Sequence, residues 1–149
     1  MPDCALTQDI LIVEDNDDDF EAVERALTRQ RQVANPIRRF RDGEEVWNYL
    51  TGNGKFSDTG VPRHPGLVLL DLNMPGIDGR QVLARIRSNH DLARIPVVIM
   101  TTSVDERDVE DCYAEGANTY LRKPVSWTEF SETVGQLYDY WFRFALRPK

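Results

Sequence analysis

Asp71 stands inside the run Leu67-Val-Leu-Leu-Asp-Leu-Asn-Met-Pro-Gly76, a single carboxylate among apolar residues. An ionised side chain in such surroundings needs a charge partner or a chemical role. Other polar residues close other runs in the same way. Glu14 and Asp15 follow Ile10-Leu-Ile-Val13, Thr101 follows Pro96-Val-Val-Ile-Met100, and Lys123 follows Thr119-Tyr-Leu-Arg122. If the runs carrying Glu14, Asp15 and Asp71 are neighbours, three carboxylates converge. Two full charges ~5 Å apart repel by roughly 3 kcal/mol at an effective dielectric of ~20. One lysine offsets one of them, and the remaining charge of about −2 calls for a divalent cation. Few hard oxygen ligands in a water-accessible site favour Mg2+ over calcium or zinc. A carboxylate beside Mg2+ can act as a nucleophile toward a phosphoryl group, with Lys123 and the metal neutralising its oxygens and the Thr101 hydroxyl bonding one of them. The chemistry these residues suit is phosphoryl transfer onto Asp71.

The elements that must position them are legible in the hydrophobic pattern. Continuous apolar runs at 9–15, 67–71 and 95–101 read as strands buried on both faces. Residues 37–40 and 119–122 read as shorter strands, the first with the charges of a sheet edge. Between them lie helical spacings: Phe20, Val23 and Leu27; Val46, Trp47 and Leu50; Val82, Leu83 and Ile86; Val109, Cys112 and Tyr113. Asp18 with Glu21, Ser103 with Glu106 and Ser126 with Glu129 are spaced as capping boxes, and Gly116 as a helix stop. Strand and helix alternate five times, which predicts a parallel sheet covered on both faces. Pro75, Gly76 and Gly79 cannot continue the third strand, so Asp71 falls where strand becomes loop. Ligands bind at such carboxyl ends. Residues 51–65 form a long Gly- and Pro-rich loop.

Composition narrows the classes. The chain of 149 residues fits one domain. A net charge of −7 argues against a nucleic-acid surface, no run is long enough to span a membrane, and no signal peptide is visible. Cys4 and Cys112 make neither a metal framework nor a disulfide set, so a reduced cytoplasmic setting is expected. The acid run at 15–19 lacks the glycine and the final glutamate of a calcium loop, and within it Asp17 to Asp19 read mostly as a solvated helix start.

The fragments Val13-Glu-Asp15, Asp71-Leu-Asn-Met-Pro-Gly76, Thr101 and Gly116-Ala-Asn-Thr-Tyr-Leu-Arg-Lys-Pro124 occur in this order, each at a strand end. Together they resemble the receiver domain of two-component response regulators, over residues 9–146. The resemblance implies an α/β, flavodoxin-like, doubly wound five-stranded parallel sheet in the order 2-1-3-4-5, with five helices. It implies that Asp71 is the phosphoacceptor and that Glu14, Asp15 and Asp71 hold Mg2+ with a backbone carbonyl from Asn73. Thr101 and Lys123 would grip the phosphoryl oxygens, Tyr120 would swing inward as Thr101 is drawn to phosphate, and the Lys123–Pro124 bond would be cis. Asn73 and Ser103, small and polar beside the site, are expected to tune hydrolysis of the phosphorylated form.

Residues 1–149 then read as a single receiver domain with no output domain, similar to the stand-alone class. The 51–65 loop and aromatic tail resemble regulators paired with phytochrome-type light-sensing kinases. The expected partner is a sensor histidine kinase. The expected signal is a change of the surface made by the fourth helix, fifth strand and fifth helix, from a switch and not a turnover enzyme. A phosphorelay intermediate and a scaffold that never takes phosphate are the alternatives. The last helix, 126–146, carries two apolar stripes: Phe130, Val134, Leu137 and Trp141 for the sheet, and Trp127, Tyr138, Phe142 and Leu146 beside them. Two stripes imply a second covering surface: a homodimer through Trp127, Tyr138, Phe142 and Leu146 is the first expectation, with kinase docking or wrapping of the second stripe over the core as the alternatives.

Overall fold

Runs rich in Val, Leu and Ile form the strands, and the glycines, prolines and capping acids between them set where each helix starts. The structure is a computed structural model and describes residues 8–55 and 64–146. Strands β1 (Ile10–Val13), β2 (Ile37–Phe40), β3 (Leu67–Leu70), β4 (Val97–Thr101) and β5 (Thr119–Arg122) pair in parallel in the order β2-β1-β3-β4-β5. This is the flavodoxin-like order that the resemblance implied. Helices α1 (Asp17–Arg25), α2 (Gly43–Thr51), α3 (Gly79–Ser88), α4 (Glu106–Glu115) and α5 (Trp127–Asp139) alternate with the strands. Both α1 and α5 run on into π-helical turns, Ala26–Gln30 and Tyr140–Phe144. No helix among the described residues is long and apolar enough to cross a membrane. Cys4 and residues 56–63 of the long loop lie outside the described residues.

Side chains alternate across the sheet, as strand geometry requires. Leu11, Val13, Val68, Leu70, Val97 and Ile99 point to one face and pack on α2, α3 and α4 through Val46, Leu50, Val82, Leu83, Ile86 and Cys112. Ile10, Ile12, Leu67, Leu69, Val98 and Met100 point to the other and pack on α1 and α5 through Val23, Leu27, Phe130 and Val134. With both faces covered, β1 and β3 are buried along their whole length.

The last helix departs from the expected stripes. Tyr138 and Phe142 are only 5% and 8% exposed, and belong to the core on the α1–α5 face. Their rings stack with centroids 5.0 Å apart, and the Tyr138 hydroxyl donates to Asn35 Oδ1 at 2.9 Å. Phe130, Val134, Tyr138 and Phe142 recur every four residues, a spacing that drifts around an ideal α-helix of 3.6 residues per turn. The wider π turn at Tyr140–Phe144 takes up that drift and keeps Phe142 on the inner face. Leu137 and Trp141 pack only partly against the same core, while Trp127 and Leu146 remain exposed. Two further corrections concern caps. Asn16, not Asp18, caps α1 by accepting from the Asp19 amide, and Asp105, not Ser103, caps α4. Tyr113, expected inward, is half exposed, and Cys112 fills the core position beside it. The Ser126 cap and the Gly116 stop stand as read, the latter at φ 107°.

Gly79 ties the fold to the site. It opens α3 directly against the end of β3, where an added Cβ would run into the main-chain carbonyl of Asp71 and lie 2.9 Å from Leu72 Cα. Backbone cannot yield there as a flexible side chain would. Gly79→Ala is expected to destabilise the protein by about 1–3 kcal/mol despite alanine's better helix propensity. Urea unfolding of the two proteins checks this, and equal midpoints would contradict the close approach.

Candidate functional site

The backbone ladder carries the polar residues to one end of the sheet. Val13 of β1 is in register with Leu70 of β3, and the Asp71 amide donates to Val13 O at 3.1 Å, so the residues that follow, Glu14 and Asp71, meet. The Lys123 amide donates to Thr101 O at 2.8 Å, which sets β5's last residue beside β4's. The chain leaves β1 for β2 on one side and returns to β3 on the other. The site therefore lies at the switch point, on the carboxyl ends of the strands.

One ligand oxygen from each of Glu14, Asp15 and Asp71 lies within 4.8 Å of the others. Glu14 and Asp71 are buried and Asp15 is exposed, so the group faces water on one side. Lys123, itself buried, reaches into it and donates to Glu14 Oε1, to Asp71 Oδ2 at 2.9 Å and to Asp19 Oδ2 at 2.9 Å. An ammonium has three donors, and all three are used. Burial pushes the Glu14 carboxyl up to about 7; the Lys123 bond pulls against this while the Asp71 charge adds to it. Burial also works against the charge of Lys123, but the bonds to Asp19 and Glu14 outweigh it and hold the ammonium above the ordinary lysine range. Four carboxylates around one lysine leave an excess of negative charge. Three of them offer closely spaced hard oxygens, so the donor set fits a divalent cation such as Mg2+.

The remaining residues read from the sequence are brought to the same place. The Asn73 amide donates to Asp71 Oδ1 at 3.2 Å, and its side chain donates to Thr101 Oγ1 at 3.4 Å. The Ser103 amide also points at Thr101 Oγ1, at 3.5 Å. Ser103 is a junction: its carbonyl accepts from the Tyr120 hydroxyl at 3.0 Å, and its own hydroxyl donates to Asp108 Oδ2 at 2.7 Å. Burial raises the Tyr120 hydroxyl pKa above its ordinary value. The Lys123–Pro124 bond is trans, since no cis peptide occurs among the described residues. Lys123 reaches its carboxylates without the less stable isomer. Cys112, whose thiol burial pushes up to about 11, is an inert packing residue.

Asp19 was missed by the sequence reading, which left it in a solvated run. Its neighbour Asp17 is taken up by Arg39 and Arg41, at 2.7 and 2.9 Å, and Asp18 is exposed. Asp19 instead follows Asp15 by four residues, about one helical turn, and so returns to the strand end. That spacing was the available signal. Asp19 and Lys123 also line a cavity of about 150 Å³ with Ala22, Pro124, Val125, Ser126, Trp127 and Phe130. Trp127 thus sits at the site's edge, whereas Tyr138 and Phe142 are core residues.

Comparison with known proteins agrees with this geometry. The family model described as "Response regulator receiver domain" matches residues 10–135. The chain is 37% identical to Response regulator Rcp1 of Synechocystis over 93% of this chain and 92% of that one. It is 35% identical to the probable methanogenesis regulatory protein FilR2 of Methanothrix harundinacea, over 93% and 86% of the two chains. Its structure is similar to that of the phosphorylated cyanobacterial phytochrome response regulator RcpA, with a TM-score of 0.88, 35% identity and coverage of 96% and 99%. The Mn2+-bound form of Rcp1 gives 0.87, with 37% identity and coverage of 95% and 99%.

The raised Glu14 pKa has a measurable consequence. Between pH 4.5, the ordinary glutamate value, and about 7, the folded protein keeps a proton on Glu14 that the unfolded chain gives up. Folding is then favoured at the acid end, and this contribution is lost as pH rises through that window. In metal-free protein, Glu14→Gln should flatten the fall in urea-unfolding stability between pH 5 and 7.5. A wild-type curve with no downward component that the variant removes would contradict the burial of this acid.

Proposed function

This chain belongs to the response regulator receiver family, and on that premise we propose that Asp71 accepts a phosphoryl group from the phosphohistidine of a partner kinase. The observation that carries the reading is the position of Asp71, buried at the switch point with one oxygen on the Lys123 ammonium and the other on the Asn73 amide. Held by Glu14, Asp15 and Asp71 with the Asn73 carbonyl, Mg2+ would supply positive charge against the phosphoryl oxygens. Asp71 attacks phosphorus. A P–O bond forms as the P–N bond breaks, and the imidazole leaves with the bonding pair. Lys123 takes one phosphoryl oxygen. Thr101 takes another: its oxygen already accepts from Asn73 and Ser103, and among the described residues nothing accepts its proton.

Drawing Thr101 toward phosphate loosens its hold on the Ser103 amide, and Ser103 also carries the Tyr120 hydroxyl and Asp108 of α4. Differential contacts of this kind are what a population shift requires. The altered surface is then that of α4, β5 and α5, and a cytoplasmic location suits a switch loaded by a kinase. Asn73, beside both Asp71 oxygen and Thr101, is the residue placed to tune hydrolysis. The Ser103 hydroxyl is already engaged by Asp108, so any tuning by Ser103 acts through that bond. Loss of the phosphate by attack of water returns Asp71 to its starting state, a cycle and not a turnover activity. The relatives' names, phytochrome response regulator among them, support a phytochrome-type kinase as the partner.

We also propose a homodimer through the C-terminal end of α5, with a changed set of residues. Tyr140, Phe144 and Leu146 are the exposed ones there, in place of the buried Tyr138 and Phe142. Trp127 stands a helix length away, about 25 Å at 1.5 Å per residue, and is left out of the patch.

Two experiments test these readings. With Mg2+ and acetyl phosphate, intact mass should show one added phosphoryl group on the wild type and none on Asp71→Asn; an adduct on both would place the chemistry elsewhere. In sedimentation velocity at tens of micromolar, Phe144→Ser combined with Tyr140→Ser should turn a dimer into a monomer. A monomeric wild type, with and without phosphate, would end the dimer proposal.

A further inference from the structure

The three donors of the Lys123 ammonium go to Glu14, Asp71 and Asp19. Glu14 and Asp71 also belong to the cation cluster with Asp15, and Asp19 does not. If Asp71 is the phosphoacceptor, on which this argument rests, both inner partners of the lysine change their commitments during the reaction. Glu14 shares its charge with the cation. Asp71 gives up its own charge when one of its oxygens is bonded to phosphorus. Asp19 takes part in neither exchange.

We infer that Asp19 is a positioning residue for phosphoryl transfer: it tethers the Lys123 ammonium at the edge of the site, so that the N–H released by Asp71 meets the incoming phosphoryl oxygen. The fold delivers this carboxylate from a fixed point. Asp19 lies in the first turn of α1, and its main-chain amide is held by the capping Asn16 Oδ1 at 3.0 Å. Its side chain and Lys123 form part of the wall of the 150 Å³ cavity, with Trp127 and Phe130 on the apolar side. A half-exposed ion pair contributes little to stability by itself. A role confined to stability therefore predicts small effects on every measurement below.

The test compares wild type with Asp19→Asn and Asp18→Asn, the second removing the same charge from an exposed neighbour. At saturating Mg2+, the rate of adduct formation from acetyl phosphate should fall on the order of tenfold in Asp19→Asn, short of the ~100-fold that a full ångström's misplacement can cost. It should be unchanged in Asp18→Asn. A second readout needs no phosphate: in Mg2+-saturated protein the 15N resonance of Lys123 Nζ should stay sharp in the wild type and in Asp18→Asn, and broaden in Asp19→Asn. An unchanged or faster rate in Asp19→Asn, an equal loss in Asp18→Asn, or a lysine resonance that Asp19→Asn leaves alone overturns the assignment. Should the wild type take no phosphate on Asp71, the phosphoacceptor reading falls, and the lysine resonance alone decides whether Asp19 is the tether.

Discussion

The buried bond between Lys123 and the carboxylates of Glu14 and Asp71 is the constraint around which this molecule is arranged. A charge removed from water is costly unless partners replace the water, and removing one partner leaves the other stranded. Here the partners are unequal in number: Glu14, Asp19 and Asp71 hold a single ammonium, and Asp15 adds a fourth carboxylate beside Glu14 and Asp71. Desolvation already forces part of the excess to be met by a proton, as the raised pKa of Glu14 indicates. Positive charge or a change in the charge of Asp71 relieves the same imbalance, so an incoming cation or phosphoryl group acts on a cluster that is poised and not neutral. The parallel sheet serves this end. It sets Asp71 beside Glu14 and Lys123 beside Thr101 by main-chain bonds, and both faces are sealed with apolar side chains.

From the cluster a line of hydrogen bonds leads outward, through Asn73 and Thr101 to Ser103, and from Ser103 to Tyr120 and Asp108. The opposite end of α4 is held differently. Arg87 donates to Gly116 O at 2.8 Å, to Ile95 O at 2.7 Å, to Ala93 O at 3.0 Å and to Asn118 Oδ1 at 2.9 Å. Burial lowers its pKa from the ordinary arginine value, and four acceptors supply what water would have given. One end of α4 is therefore clamped by Arg87, while the other is held by the junction at Ser103 and by Arg80, which pairs with Asp108 at 3.4 Å and Asp111 at 3.2 Å.

Much of this was legible in the residues. Apolar runs that end in Glu14, Asp71 and Thr101 report both a doubly covered sheet and the end of it where the polar residues gather, because an interior strand tolerates such residues only where it stops; Lys123 joins them from the edge strand β5. What was not legible has specific physical causes. Tyr138 lies on the buried face of α5 itself, a face centred off the expected stripe, and the π turn at Tyr140–Phe144 changes the 3.6-residue period in time to keep Phe142 on that face. Cap positions slipped by two residues because Asn16 and Asp105 are cap-forming residues close to Asp18 and Ser103, and local spacing does not rank such neighbours. Asp19 was hidden by its neighbours: in a run of acids, the one that turns back toward the strand end is distinguished by backbone direction and not by type.

A crystal structure grown with Mn2+ and beryllofluoride, a mimic of the phosphoryl group, tests the central claim most directly. The account predicts an anomalous peak among Glu14, Asp15 and Asp71, beryllium bonded to an Asp71 oxygen, and Lys123 and Thr101 on its fluorines. Manganese bound away from the three carboxylates, or a lysine turned to solvent with Asp71 unmodified, would contradict it.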